Sequence, residues 1–404
     1  MKIVFFHEVN YLTKPVYEMH EFPEFLSVAG HEVHFVHFAE GLTLKESLAR
    51  ERLTLAPKRS FIQGDTRVFL HTPFQLGGGI IGRALVFLLG PIQVFNLLRG
   101  IRPDVIVSYS VATHGLQLVL VCKLMRIPIM LRVIDVPSEI REFGLLKPAV
   151  RLIEKLVGRF STAVSALTPA LARLFASYRS DEGSMVTVHP PPLNVQFFDV
   201  ETDTAMQYRE SAGWGNKKVF VFVGTFFRFS GLEALVTDFA KHSVEDEILV
   251  IFGTGELGAR LDEQLRCLPE DQASRIVLPG YVDYKMLPLV LAASDVAVNP
   301  LEMVNATHQA LPNKVLQYAA AGLPIVSYPL DSLVHFFDER EMCLRWAGAK
   351  ESLTLLGREL INDGLRQEEK CAEANKAYVD ELFGIDASGA AFETAIRDLV
   401  ESQR

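Results

Sequence analysis

The sequence predicts an α/β protein built of two doubly wound domains in tandem, and three observations carry that prediction. Short, almost continuously apolar strands alternate with amphipathic helices from the first residues onward, the rhythm of a parallel sheet covered on both faces. The rhythm breaks once, at "HPPPLN" (189–194), where three successive prolines fit neither a helix nor a central strand, and it restarts at "VFVFVGTFF". The chain has 404 residues, enough for two domains at the usual ~100–200 residues each. The expected domains are therefore 1–194 and 195–404. Ligands of such sheets bind beyond the carboxyl ends of the strands, so the expected site is an interdomain cleft.

The elements follow in order. "MKIVFF" has one basic residue and no small-residue cleavage site, and reads as a first strand and not as a signal peptide. The helix "VYEMHEFPEFLSVAG" and the strand "HEVHFVHF" come next. In "GGGIIGRALVFLLGPIQVFNLLRGIRP" (77–103), Arg83, Pro91, Gln93 and Asn96 interrupt the apolar residues, so the stretch falls short of the ~18 needed to span a bilayer. The expectation is a buried or interfacial helix pair with Arg83, Arg99 and Arg102 at its edges; contact with a membrane surface is a second reading. "DVIVSYS", "THGLQLVLVCKLMR", "IPIMLRVID", a helix near 147–158, "STAVSAL" and a helix opened by Pro169 complete the first half. The second half repeats the pattern with "VFVFVG", "EILVIFGTGELG", "RIVLPGYV" and "DVAVNPL". A helical tail begins near residue 350 and ends in the amphipathic "AAFETAIRDLVES", which can pack back on the first domain.

Composition narrows the function. At 49% hydrophobic and 22% charged the chain is an ordinary globular protein, and a net charge of −9 argues against a broad nucleic-acid-binding face while allowing a local basic patch. Cys122, Cys267, Cys343 and Cys371 are widely spaced without a C-x-x-C pair. That argues against a disulfide framework or a zinc site, and suggests small core residues in a reducing cytoplasm. With no D-x-D triplet and no H-E-x-x-H, no metal is expected; without G-x-S-x-G, a hydrolase elbow is not expected either.

Four stretches could carry chemistry. "LPNKVLQYAAAGLPIVSYPL" (311–330) reads as a helix from Pro312 to Ala321, closed by Gly322 and followed by a strand. Its first turns place Lys314 and Gln317 on one face, where free N–H groups and the dipole favour an anion; a solvated connecting helix is the plainer alternative. "FVGTFFRFSG" puts Gly224 and Thr225 at a strand end with Arg228 beyond them, either to meet a diphosphate or to cap a neighbouring element. Gly253, Gly255 and Gly258 have G-x-G-x-x-G spacing, but no acidic residue ends the next strand, so close backbone approach to a nucleotide other than NAD(P) is the better use of them. Finally, "MLRVIDVPSE" ends a strand with Arg132 and Asp135, which could both face the cleft or pair with each other. Asp135 is then a candidate base, and His7 and His114 are cleft candidates that a structural role would also explain.

Taken in order, these pieces resemble the GT-B glycosyltransferases, and within them the large retaining group ("glycosyl transferases group 1", family 4). The resemblance runs through "AGHEV", "RPDVIVSYS", "RIPIMLRVID", "VHPPPLNVQFF", "VFVGTFFRFSGLEAL", "IFGTGE", "PGYVDYKMLPLVLAASDVAVNPL" and "PNKVLQYAAAGLPIV". It implies two Rossmann-like domains. The first would bind the acceptor, a polysaccharide, glycolipid or lipid-linked saccharide. The second would bind a nucleotide-diphosphate sugar, with Arg228 and Lys314 on the diphosphate, Gly224, Thr225, Gly253, Gly255 and Asn313 lining the pocket, and Gln317 facing the ribose. It implies no cofactor, no metal and a cytoplasmic enzyme that can sit on the inner face of the membrane. The chain departs from the family pattern where Ser230 replaces a lysine before Gly231, where Gln309 and Gln317 replace a glutamate pair, and where "HEVNYLTKP" and Ile134 replace a glycine-rich loop and a histidine. Two other readings remain open: a nucleotide-sugar-binding homologue without turnover, and an NAD(P)-linked oxidoreductase resting on the three glycines.

Overall fold

The computed structural model describes residues 1–38, 45, 51–74, 79–109, 111, 113–140, 143–179, 185–337, 342–363 and 369–404, with the side chains of 79–89 and 369–370 left aside. They form two compact units, Met1–Pro192 with Ile385–Arg404, and Leu193–Gly384. The chain passes from one to the other directly after its proline run.

The first unit holds β1 (Lys2–Phe6), β2 (Glu32–Val36), β3 (Leu53–Leu55), β4 (Val68–His71), β5 (Val105–Ser108), β6 (Ile129–Val133), β7 (Ala163–Ala166) and β8 (Met185–Val188). Their order is β3-β4-β2-β1-β5-β6-β7-β8, parallel except for β3. Its helices are α1 (Glu18–Val28), α2 (Gly79–Ile101), α3 (Gly115–Met125), α4 (Pro137–Ile140), α5 (Lys147–Phe160) and α6 (Pro169–Ala176). Right-handed crossovers place α2, α3, α5 and α6 on one face and α1 on the other, and α3 packs between α2 and α5 accordingly.

The second unit is entirely parallel. It holds β9 (Lys218–Val223), β10 (Glu247–Phe252), β11 (Ile276–Gly280), β12 (Val296–Asn299), β13 (Ile325–Ser327) and β14 (Leu344–Trp346), in the order β11-β10-β9-β12-β13-β14. Its helices are α7 (Thr202–Ser211), α8 (Leu232–His242), α9 (Gly258–Arg266), α10 (Glu270–Ala273), α11 (Leu287–Ala292), α12 (Asn305–Gln309), α13 (Asn313–Ala320), α14 (Asp331–Phe336), α15 (Leu353–Asn362) and α16 (Glu369–Phe383). Each sheet reverses its direction of growth beside its first strand, between β1 and β5 and between β9 and β12. Those are the points at which doubly wound sheets open a crevice.

The last helix, α17 (Ile385–Ser402), belongs to the first unit. Phe392, Ile396 and Leu399 repeat at helical spacing and enter the core formed by Phe5, Phe22 and Phe35. The Phe22 and Phe392 rings stack at 4.0 Å, and a Cβ on Gly389 would stand 2.7 Å from the Phe25 ring, so α17 lies close against α1.

Several expectations need correction. Within the 77–103 stretch, Gly79–Ile101 form one helix, α2, with Pro91 inside it, and not a helix pair. Among the described residues, no helix is long and apolar enough to cross a membrane. Cys343 and Cys371 are cross-linked with their Cα atoms 5.9 Å apart, a pairing that their 28-residue separation did not suggest. Cys122 is a buried core thiol as expected, whereas Cys267 is exposed at the end of α9.

Candidate functional site

In the second unit, the site is built where β9 ends. The loop after β9 and the loop after β10 press together backbone to backbone: the Phe226 N–H donates to the Thr254 carbonyl (3.0 Å), and the Leu257 N–H to the Phe226 carbonyl (3.2 Å). A Cβ on Gly253 would lie 1.8 Å from the Gly224 carbonyl oxygen, and one on Gly255 would lie 2.7 to 2.9 Å from the Phe226 backbone. The G-x-G spacing is thus required by the packing of two loops, whatever else these glycines border. Gly258 opens α9 in open space, where a Cβ would meet no atom within 4 Å.

The helix α13 supplies the cation. Pro312 is extended as its N-cap, so the helix begins at Asn313, one position after the start expected from the sequence, and Gly322 takes φ +71° after its end. Tyr318 is fully buried and ties the helix to the sheet: its hydroxyl accepts from the Val223 N–H at 2.8 Å, at the last residue of β9. One turn earlier on the same face, Lys314 is thereby held over the Phe222 ring, its Nζ 4.1 Å from the centroid and 3.1 Å from where a Gly224 Cβ would be. Burial pushes its ammonium down to about 7, and among the described residues no carboxylate stands within ion-pair distance of it. A cation held this way, at the N-terminus of a helix and at a topological switch point, is poised for an anion.

Around Lys314 the other residues divide. Asn313 is the first residue of α13 and half-buried, and Gln317 is buried. Thr225 and Arg228 are exposed on the β9 loop, where the Arg228 backbone N–H donates to the Glu256 carboxylate at 2.7 Å. Ser230, at the position of the family's lysine, is wholly buried and its hydroxyl lacks a hydrogen-bond partner among the described residues. Gly231 beside it has φ +69°, and a Cβ there would fall 1.8 Å from the Pro300 carbonyl oxygen. Tyr318 was missed by sequence reasoning; its spacing of four from Lys314 was the available signal.

In the first unit, Arg132 does not pair with Asp135. It is fully buried in a two-pronged ion pair with Glu18 of α1 (2.8 and 2.6 Å) and also donates to Ser165 and to the His189 carbonyl, which makes it a structural tie between β6 and α1. Asp135 is half-buried just past β6, near enough to Tyr17 to help hold its phenol protonated, after burial and Glu18. His7 lies past the end of β1, hydrogen-bonded to the Tyr17 hydroxyl (3.0 Å) and stacked on Tyr109 at 4.7 Å. His114 is buried and donates its backbone N–H (2.6 Å) to the Glu8 carboxylate, 3.1 Å from its ring Nδ1. Burial raises the Glu8 pKa, but these bonds outweigh it and hold the group down at about 2. His7, Tyr17, Tyr109 and Asp135 thus gather at the β1/β5/β6 ends, while Arg132 serves the fold and His114 is engaged with Glu8.

Comparison with known proteins agrees with this architecture. Residues 217–354 match the model described as "Glycosyl transferases group 1", and residues 24–191 match "Glycosyl transferase 4-like domain". The chain therefore belongs to the group 1 glycosyltransferases and is a glycosyltransferase with two Rossmann-like domains. Among solved structures it is similar to HepE of Anabaena, crystallised with UDP-glucose (15% identity, 98% of this chain and 100% of that one, TM-score 0.73). It is likewise similar to sucrose-phosphate synthase of Thermosynechococcus elongatus (14%, 99% and 99%, 0.77). A third likeness is to WaaG, a glycosyltransferase involved in lipopolysaccharide biosynthesis (14%, 98% and 99%, 0.68). No curated protein matches the sequence.

Proposed function

We propose that this glycosyltransferase moves a hexosyl group from a uridine-diphosphate sugar to a hydroxyl of a saccharide or lipid-linked acceptor, without a metal ion and with retention of configuration. The observation that carries the reading is Lys314, a half-buried ammonium without a carboxylate partner among the described residues, set at the N-terminus of α13 beside the glycine that follows β9. The UDP and UDP-glucose bound by HepE support the choice of donor.

Breaking the anomeric bond places negative charge on the departing diphosphate. Lys314 and the free N–H groups of α13 are fixed in place before that charge develops, which is how preorganised donors lower a barrier. Arg228 adds a second cation from the β9 loop. Asn313 and Gln317 offer amide groups to the sugar and the ribose, and Thr225 with the Gly224, Gly253 and Gly255 backbone borders the nucleotide. In a retaining reaction a donor phosphate oxygen takes the acceptor proton, so no protein base is needed. Asp135 is the base only if configuration is inverted.

Two measurements test this. UDP, GDP, ADP, NAD and NADP are compared by thermal shift on wild type and Lys314→Ala: UDP alone should stabilise, and the variant should lose the effect. Stabilisation by NAD or NADP alone would sink the proposal. In a transfer assay with UDP-sugars, Asp135→Asn should keep near-normal turnover; a loss of several orders of magnitude would replace the retaining mechanism with the inverting one.

A further inference from the structure

The cross-link between Cys343 and Cys371 stands at the far end of the helix that carries Lys314. Cys343 immediately precedes β14, the edge strand of the second sheet, and its carbonyl accepts from the Ile325 N–H of β13 at 2.9 Å. Cys371 lies in the first turn of α16, 28 positions later in the chain. The Cα atoms are 5.9 Å apart, a separation that a disulfide spans without moving the backbone. The bond therefore ties the start of α16 to the sheet edge.

The same turns of α16 also meet the end of α13. A Cβ on Gly322, which closes α13, would lie 2.7 Å from the Ala372 Cβ, so the two helices touch there without room for a side chain. Asn375 is fully buried and joins both segments: its side-chain oxygen accepts from the Cys343 N–H (2.9 Å), and its amide donates to the Leu323 carbonyl (2.8 Å). Farther along α16, the Tyr378 hydroxyl donates to the Phe336 carbonyl (2.9 Å) and Val379 and Phe383 are buried, so that half of the helix is held without sulfur. The cross-link acts on the half that packs against α13. Its two sulfurs differ in access, since Cys371 is buried and Cys343 only half-buried. A thiol in solution therefore meets the pair at Cys343, and accessible disulfides are the ones that exchange.

We propose that Cys343 and Cys371 form a redox switch on α13 and, through it, on donor binding. Oxidised, the pair holds α16 against the end of α13 and steadies the helix that presents Lys314; reduced, it lets the first turns of α16 loosen. In the reducing direction a small thiolate attacks the Cys343 sulfur, the S–S bond breaks, and Cys371 leaves as a thiolate that takes up a proton. A second small thiol then resolves the mixed disulfide and frees Cys343. Two small thiols are thereby oxidised to one small disulfide, while the protein gains two electrons and two protons; the reverse reaction consumes the small disulfide. Closing a loop through sulfur removes loosened states, and a ligand that needs α13 ordered then has less freedom to take away. The step from α13 to UDP rests on the donor-site reading, whereas the step from the sulfurs to α13 does not.

The test equilibrates the full chain with reduced glutathione or with glutathione disulfide and reads three quantities. Alkylation after denaturation should modify all four cysteines of the reduced protein, and only Cys122 and Cys267 of the oxidised one. Hydrogen exchange of a peptide spanning α13 should be about fivefold or more slower in the oxidised protein, and UDP should bind that form about fivefold or more tightly, the lower end of ordinary coupling between sites. Cys343→Ser leaves Cys371 a thiol and should match reduced wild type in both media, which separates the pair from any reaction at Cys267. Four alkylated cysteines in both media, equal α13 exchange in the two forms, equal UDP affinity, or a Cys343→Ser protein whose α13 still responds to glutathione disulfide would each overturn the proposal. Redox-dependent α13 exchange with no UDP bound by either form would uphold the switch on α13 and refute the donor-site reading.

Discussion

Lys314 makes nucleotide binding depend on pH in a direction that follows from its surroundings. Burial lowers its pKa from 10.5 to about 7, so the free protein loses that charge across the neutral range. A bound diphosphate restores the reason to be charged, and above pH 7 binding must therefore take up a proton. If the bound form stays protonated throughout, UDP affinity falls by roughly 20-fold between pH 6.5 and 8.5, and uptake approaches about one proton per UDP at the upper end. Calorimetry in buffers of different ionisation heat measures both quantities. Lys314→Arg keeps a cation that does not titrate in this range, and so reports the ligand's own ionisation. Proton uptake by Lys314→Arg equal to that of wild type would refute the reasoning, as would a flat wild-type profile.

The same shift makes a stability prediction with its own sign. A lysine whose folded pKa lies below its unfolded value destabilises the fold fully below pH 7, and the cost fades as pH rises toward 10.5. The shift sets a ceiling of about 5 kcal/mol, which solvent screening of a half-buried group reduces to about 2–3 kcal/mol. Lys314→Met should therefore raise the melting temperature of the free protein at pH 6.5 while it weakens UDP binding, the trade expected of a binding group kept at a cost in stability.

Three further predictions concern the frame. Tyr318→Phe removes the hydroxyl that receives the Val223 N–H; it should cost about 1–2 kcal/mol in chemical denaturation and weaken UDP binding with little change in acceptor KM. Glu8 is held at about 2, so its contribution is complete above its ordinary 4.5 and is lost as pH falls from there to 2. Glu8→Gln should remove about 3 kcal/mol of that acid dependence in urea melts taken across the range. Arg132→Met strands Glu18 in the core and should cost about 3–5 kcal/mol, and adding Glu18→Leu should recover part of the loss if the stranded charge, not lost packing, is the cause.

What could be read from the sequence was whatever had a period or a breaker residue. The strands β1, β5, β9, β10 and β12 each contain an unbroken apolar run of three residues or more, and the ends of α13 were marked by Pro312 and Gly322. By contrast, β3 and β14 have three residues each, too short to show any alternation, and β4 has four. The α2 stretch was misread because Pro91 is a breaker in isolation, yet the helix continues through it. Residue type alone also failed at Arg132 and Asp135: their spacing of three at a strand end allowed a pair, and only the fold could bring Glu18 from 114 positions away to take Arg132 instead.

The candidate donor site shows the same divide more sharply. Its lysine was legible because a cation in the first turn of a helix is a local signal. What makes that lysine useful is not local: Phe222 and Gly224 belong to β9 and its loop, about ninety positions upstream, and Tyr318 docks α13 on the same strand end. The glycines of the β10 loop have the complementary history. Their spacing suggested ligand contact, but the atoms that exclude a side chain are the carbonyl of Gly224 and the backbone of Phe226. Gly253 and Gly255 therefore let the β10 loop close on the β9 loop beside Gly224, which lies under the Lys314 ammonium. Substituting either by alanine should displace Gly224 and weaken UDP binding even though neither glycine need touch the nucleotide.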